Sequence, residues 1–168
     1  MAPSALLPVR ASGRVLLIDP ADRVLLLQIR PDDPDAGGVW LTPGGGLERG
    51  EESAAAAARE LTEETGHVVP HGALMGPVWT RHHRFLGTDL RETYFALRTD
   101  RVEVDRAGWT ALERAQLGEH RWWSLPELRT ATDQRFAPRR IAVLLPAVLA
   151  AMRPGGAGWT IPPIEVGV

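Results

Sequence analysis

Short aliphatic runs alternate along this chain with polar, Pro- and Gly-rich breaks, and a helical period appears only in the middle and near the end. Val15 to Ile18 and Val24 to Ile29 are compact runs of Val, Leu and Ile separated by Asp19-Pro20-Ala21-Asp22-Arg23, which predicts strand, turn, strand. The stretch Pro31 to Gly38, rich in Asp, Pro and Gly, reads as a loop leading to a further strand at Val39-Trp40-Leu41. Val68-Val69 restarts extended structure. Val78 to Phe85 and Glu92 to Leu97 read as longer strands on either side of a Gly87-Thr88-Asp89 turn, and His120 to Trp123 as another.

Helical signals follow. Ser124-Leu125-Pro126-Glu127 has the form of a capping box, with Ser at the N-cap, Glu three residues on and Pro in the first turn. The next helix places Ile141, Leu144, Leu145, Val148, Leu149 and Met152 on one side, and Pro146 inside it predicts a kink or restart. Beyond Pro154 the Pro/Gly-rich tail is expected to be irregular. Mixed strands with helices before, between and after them predict an α/β class built as an α/β/α sandwich on a mixed sheet.

The central segment carries the chemistry. At about 100° per residue, Ala54, Ala57, Ala58, Leu61 and Thr65 form one stripe, the expected buried face of a helix. Glu60, Glu63 and Glu64 stand at i, i+3 and i+4 on another face, close enough to repel and to raise one another's pKa. A Glu-rich helix is ordinarily a solvated face. Here the same face also suits a divalent cation, because Mg²⁺ takes oxygen ligands from one or two carboxylates, waters and substrate phosphates. Just upstream, Thr42-Pro43-Gly44-Gly45-Gly46 offers a rigid Pro and three residues free to take positive φ, as a backbone needs when it turns tightly beside a ligand.

Gly45, Glu51, Arg59-Glu60-Leu61, Glu63-Glu64 and Gly66 have the spacing G-x5-E-x7-R-E-U-x-E-E-x-G, U being a bulky aliphatic residue. This resembles the signature of the Nudix hydrolases and departs from it only at the final position, where His67 replaces an aliphatic residue and predicts a small shift in how the chain leaves the helix. The resemblance implies a Nudix-type α/β/α sandwich over a core from about residue 14 to 152, within one domain spanning residues 1–168. It also implies Mg²⁺- or Mn²⁺-dependent hydrolysis of a nucleoside diphosphate linked to another group, by direct attack of water within the diphosphate. In that comparison Glu51 and Arg59 brace the loop. Gly45 (through its carbonyl), Glu60, Glu63 and Glu64 are metal ligands, and Glu60 or Glu63 takes the proton. A Nudix-fold nucleotide sensor without turnover is the alternative, which a full carboxylate set disfavours.

Outside the motif, Glu92, Glu113 and Glu119 are candidate helper carboxylates, with an exposed structural role expected of each. Arg30, Arg81, His82, His83 and Arg84 are candidate cleft residues, of which Arg30, His83 and Arg84 are taken as substrate-binding. Trp40, Trp79, Trp122 and Trp123 can stack on a base but are expected mostly in the core. An ordinary 44% hydrophobic fraction and a net charge of −2 fit a soluble globular chain without general affinity for nucleic acid or membrane surfaces. All 19 basic residues are Arg. The absence of Cys removes disulfides, thiolate metal sites, Cys nucleophiles and the Cys-dependent isopentenyl-diphosphate isomerases that share the fold. A Pro that often marks ADP-ribose specificity is replaced by His83, and the NADH-specific motif is absent, so the chain looks closest to compact MutT-type members. No signal peptide or membrane-spanning run is apparent. The expectation is a cytoplasmic monomer or homodimer acting on a small nucleotide.

Overall fold

The computed structural model describes residues 7–30, 37–70 and 72–167. Most of the Pro31 to Gly38 loop and the first residues of the chain lie outside these. The first two predicted strands form β1 (Val9–Ile18) and β2 (Val24–Ile29), and Asp19 makes the turn between them. Fully buried, its Oδ1 accepts from the N–H groups of Ala21 and Arg23 at 3.0 and 2.8 Å, replacing hydrogen bonds the turning backbone cannot make to itself.

β1 and β2 then diverge, their register holding only at Ile18 opposite Val24. The first half of β1 pairs instead with β4 (Gly44–Gly46) on one side and, in parallel, with β6 (Thr88–Arg98) on the other. β2 takes β3 (Val39–Leu41) and β7 (Leu117–Trp123) as antiparallel partners. β5 (Met75–Phe85) pairs with β6, β8 (Arg135–Ala137) with β3, and β9 (Ile164–Glu165) with β5. The result is one mixed sheet in the order β8-β3-β2-β1-β6-β5-β9, with β4 on β1 and β7 on β2. Divergence of β1 from β2 opens a cleft between its two halves.

Alternation along the strands divides the core. Leu16, Ile18, Val24 and Leu26 face α3 (Leu125–Thr130) and α4 (Ile141–Ala151), together with Trp40, Trp79, Trp123, Ile141 and Leu145. Val15, Leu17 and Leu25 face α1 (Ser53–Thr65), against Ala57, Leu61 and Phe95. Helices on both faces of a mixed sheet make the α/β/α sandwich that the sequence predicted. Among the described residues no helix is long and apolar enough to cross a membrane.

Several expectations are corrected. The face that α1 buries consists of Ala56, Ala57, Leu61, Glu64 and Thr65, while Ala54 is exposed and Ala58 half-buried. The helix meets β1 at Gly13, where any side chain would strike Ser53 and Ala57. That close approach rotates Ala54 off the sheet and turns Glu64 inward. Val68-Val69 forms no strand, and the β5–β6 turn is Leu86-Gly87, both at positive φ, with Phe85 opposite Thr88. The tail contributes β9, and α4 continues through Pro146 as one helix. The Ser124 capping box forms as predicted, Ser124 Oγ accepting from the Glu127 N–H at 3.4 Å. Trp40, Trp79 and Trp123 are core residues, as expected.

Candidate active site

Glu52 takes the N-cap position of α1 without a side-chain bond, and left-handed Gly66 (φ 73°) ends the helix, its N–H donating to the Thr62 carbonyl. The Glu51–Arg59 pairing that the resemblance implies is seen as a contact. Arg59 Nε and Nη2 donate to Glu51 Oε1 and Oε2 at 3.0 and 2.9 Å, and Nη2 also reaches the Gly46 carbonyl at 3.0 Å. One guanidinium fork thus ties the loop before the helix to the strand of glycines. It holds Glu51 at a pKa of about 2, mainly through the Arg59 hydrogen bond. His67 leaves the helix buried, its Nε2 3.0 Å from the Arg101 carbonyl.

Glu64 and Glu113 line the cleft, and among the described residues they form a carboxylate cluster with Glu60, all three offering oxygens within 4.8 Å of one another. Glu64 is buried and accepts from the Gly44 N–H at 2.8 Å. Burial pushes its pKa up to about 8, against the pull of that N–H and of Arg14 and with added repulsion from Glu60 and Glu113. Glu60 is also raised, first by burial and then partly restored by Arg59, whose Nη1 donates to it at 2.8 Å. Of the three glycines, Gly44 alone takes a positive φ (145°). Gly45 leaves space instead, since a methyl there would come within 2.4 Å of the Glu60 carboxyl carbon and that carboxyl group would have to move. Three crowded carboxylates, Glu60 and Glu64 among them with raised pKa values, pressed against a glycine backbone, suit an oxygen-ligated divalent cation, which would remove the repulsion.

The remaining predicted residues fall in different places. Glu63 lies one turn along on the exposed side, its carboxylate 3.4 Å from Arg59 Nη1 and outside the cluster. Glu113 enters from a distant segment. The loop ahead of it docks on the C-terminal end of α1, where the Trp109 indole N–H donates to the Glu64 carbonyl at 2.6 Å. Thr110 then caps α2 (Ala111–Gln116), with Glu113 as the third residue of a capping box. The Thr-x-x-Glu spacing is the signal that could have located this helix start in the sequence. Glu119 is exposed on another surface, beside Arg121 and Glu127.

Glu92 corrects the expectation of an exposed carboxylate. It is 5% exposed and accepts from Arg14 Nε at 2.6 Å, Arg81 Nη1 at 2.7 Å and the Tyr94 hydroxyl at 2.9 Å. Burial alone would raise its pKa, but the two guanidinium groups hold it at about 2. Arg14 also donates to the Thr42 carbonyl at 3.0 Å, so Glu92, Arg14 and the glycine strand form one continuous support.

Two connected arms make up the cleft. The arm beside the carboxylates, about 280 Å³, is lined by Gly44 to Gly46, Glu64 and Glu113, with Arg10 and Ser12 on its wall. Arg10 is exposed, and the sequence reading did not include it. The other arm, about 310 Å³, is mainly apolar and holds Arg81 and His83. Exposed Arg30 packs across Gly118 at the rim, with its backbone N–H on the Gln116 carbonyl. Arg84 is exposed opposite Asp89, and strand alternation turns it away from His83 and the cleft.

Comparison with known proteins agrees with this architecture. The chain is 47% identical over 60 residues to an RNA pyrophosphohydrolase of Novosphingobium aromaticivorans, covering 36% of each chain. To one of Acidiphilium cryptum it is 29% identical over 145 residues, 76% of this chain and 83% of that one. With several curated relatives the match spans only 13% to 48% of the relative's length. A crystal structure of a MutT protein from Methanosarcina mazei Go1 shares the fold, with a TM-score of 0.62 and 19% identity over 86% of this chain and 95% of that one. The NUDIX domain matches residues 8–144, taking in the glycine strand, the braced helix and the segment that delivers Glu113; by that match the chain belongs to the Nudix family.

Proposed function

We propose that this protein is a divalent-cation-dependent hydrolase that cleaves the diphosphate of a small nucleotide by direct attack of water. One observation carries the reading. Glu60, Glu64 and Glu113 converge within 4.8 Å beside Gly45, at the floor of a cleft, on a helix whose Arg59–Glu51 brace fixes the loop beneath them. Glu60, Glu64 and Glu113 would hold Mg²⁺ or Mn²⁺ with the Gly45 carbonyl. A cation there neutralises phosphate oxygens and acidifies water. Glu63, exposed beside this group, is the residue we assign to proton removal, together with the outer oxygen of Glu60. Arg14 and the Gly44 N–H keep Glu64 aimed at the cleft, and Arg59 keeps Glu60 in place. Arg10 on the wall and Arg30 at the rim are cations positioned for the outer phosphates. His83 meets the rest of the substrate, and we give Arg84 a role only in drawing anions toward the cleft.

A hydrolysis screen over nucleoside triphosphates, nucleotide sugars, dinucleotide polyphosphates and ADP-ribose, with Mg²⁺ and with EDTA, tests the reading. A triphosphate is expected to give the monophosphate and pyrophosphate, with one oxygen from ¹⁸O-water on one phosphate product. Full rates in EDTA, or orthophosphate and a nucleoside diphosphate as main products, would overturn it. Replacing Glu63 or Glu64 by Gln is expected to lower turnover by orders of magnitude in a folded protein. A second reading, a phosphoanhydride carried by RNA as substrate, is favoured by the name RNA pyrophosphohydrolase that the relatives above carry. Adding a 5′-triphosphate oligonucleotide to the screen distinguishes it.

A further inference from the structure

We infer that His67 is a positioning residue for the metal site. It clamps the segment from Arg101 to Thr110 onto the C-terminal end of α1, and so holds Glu113, three residues beyond that segment, beside Glu60 and Glu64. The inference rests on the proposed metal site and names what completes it.

α2 cannot place Glu113 by itself. It is six residues long and buries none of them, so its position is decided at its two ends. At the far end the Gln116 carbonyl accepts from the Arg30 N–H at 2.7 Å and Leu117 enters β7. At the near end the segment lies across the last turn of α1, where backbone carbonyls lack partners within the helix. Three successive carbonyls there find donors in the segment: Glu64 takes the Trp109 indole N–H at 2.6 Å, Thr65 the Asp105 N–H at 2.9 Å and Gly66 the Arg101 Nη1 at 3.0 Å. Gly108 comes so close that any side chain on it would strike the Glu63 carbonyl.

Those bonds run from the segment to the helix. His67 makes one in reverse. Its Nε2 is 3.0 Å from the Arg101 carbonyl, which can only accept, so Nε2 carries the ring proton and donates it. The residue is 4% exposed, its Nδ1 lies 2.9 Å from Thr65 Oγ1 and its own carbonyl accepts from the Thr62 hydroxyl at 3.0 Å, so the donor is fixed to the helix at both ring and backbone. An aliphatic residue, which the motif otherwise has here, would fill the same space and leave the Arg101 carbonyl without this donor. An acceptor that loses its partner away from water bears the full cost of desolvation, which favours a segment moved outward, and Glu113 moves with it.

The experiment measures Mg²⁺ binding by calorimetry in the wild type, His67→Leu, His67→Gln, Glu113→Gln and the double variant of His67→Leu with Glu113→Gln, each checked by circular dichroism. His67→Leu keeps the buried bulk and loses the donor, and its Mg²⁺ Kd is expected to rise about tenfold, the order of effect of a partner that supports a metal ligand. His67→Gln, whose amide can donate to the Arg101 carbonyl, is expected to recover part of this. Because His67 acts through Glu113, the double variant is expected to bind Mg²⁺ as weakly as Glu113→Gln and no more weakly. An unchanged Kd in His67→Leu, or losses that multiply in the double variant, would overturn the inference. Should His67→Leu not fold, Arg101→Ala, which takes an exposed donor from the same junction, is read in its place against its own double variant with Glu113→Gln. Amide exchange in the metal-free protein separates the clamp from the metal reading. The Asp105 N–H is expected to lose protection in His67→Leu while the Leu61 N–H within α1 keeps its own; equal protection of Asp105 in the two proteins overturns the clamp. A wild type that binds no Mg²⁺ refutes the metal site and leaves the clamp to be decided by this exchange.

Discussion

Raising the pH on the metal-free protein should destabilise it between about pH 5 and 8, chiefly through Glu64. Its carboxyl is 7% exposed, and its pKa rises from 4.5 to about 8. Above pH 4.5 the unfolded chain releases this proton while the folded one keeps it, so unfolding is favoured increasingly as pH rises. The contribution is fully present below 4.5 and is lost through pH 8. At 1.36 kcal/mol per pH unit the loss is on the order of 5 kcal/mol, or roughly 10–20 °C in Tm for a chain of this size. Glu51 and Glu92, held at about 2, lose their contributions only on the acid side, below 4.5. The lowered pKa values of His83 and His120 act inside the window with the opposite sign. Glu64→Gln carries the same histidines, so the difference between the two Tm profiles in EDTA isolates Glu64. It should widen steadily from pH 5 to 8, with the variant the more stable protein at the upper end. Mg²⁺ at about a hundred times its Kd should return about 2.7 kcal/mol to the wild type at pH 8, and much less to the variant. Parallel profiles for the two proteins in EDTA would refute the reasoning.

Other outcomes follow from single contacts. Arg59→Ala and Glu51→Gln should each lower both Tm and turnover, and the double variant should lose little more than either alone, since each removes the same brace; additive Tm losses would show the two uncoupled. Glu92→Gln strips the carboxylate shared by Arg14 and Arg81, and chemical denaturation should register a loss of about 3–5 kcal/mol, as when one partner of a buried ion pair is removed. Gly45→Ala places a methyl within 2.4 Å of the Glu60 carboxyl carbon and displaces that carboxyl group, so calorimetry should show Mg²⁺ affinity falling by about tenfold or more while circular dichroism stays unchanged. Glu113→Gln keeps the Thr110 capping box, because Gln also serves at that position. It should weaken Mg²⁺ binding by a similar factor without unfolding α2.

The braced half of the site was legible in the sequence because it is local. Glu51, Arg59, Glu60 and Glu64 are related by the pitch of one helix and the short loop ahead of it, so their spacing fixes which of them can meet. The strands were legible for the same reason, as runs whose ends are marked by turn residues such as Asp19 and Pro20. Helical periodicity left open the roll of α1 about its axis. The contact with Gly13 sets that roll, and with it the burial of Glu64 and the exposure of Ala54. Glu113 arrives from 49 residues beyond Glu64, carried by a loop that docks through Trp109, and no local pattern connects the two. Glu92 reads as a surface residue in its strand until parallel pairing of β1 and β6 sets Ser12 beside it and brings Arg14 within 2.6 Å. Backbone periodicity reports which side chains share a face. Which faces meet is set by strand order and by the closeness of approach a glycine permits, and both depend on contacts between residues far apart in the chain.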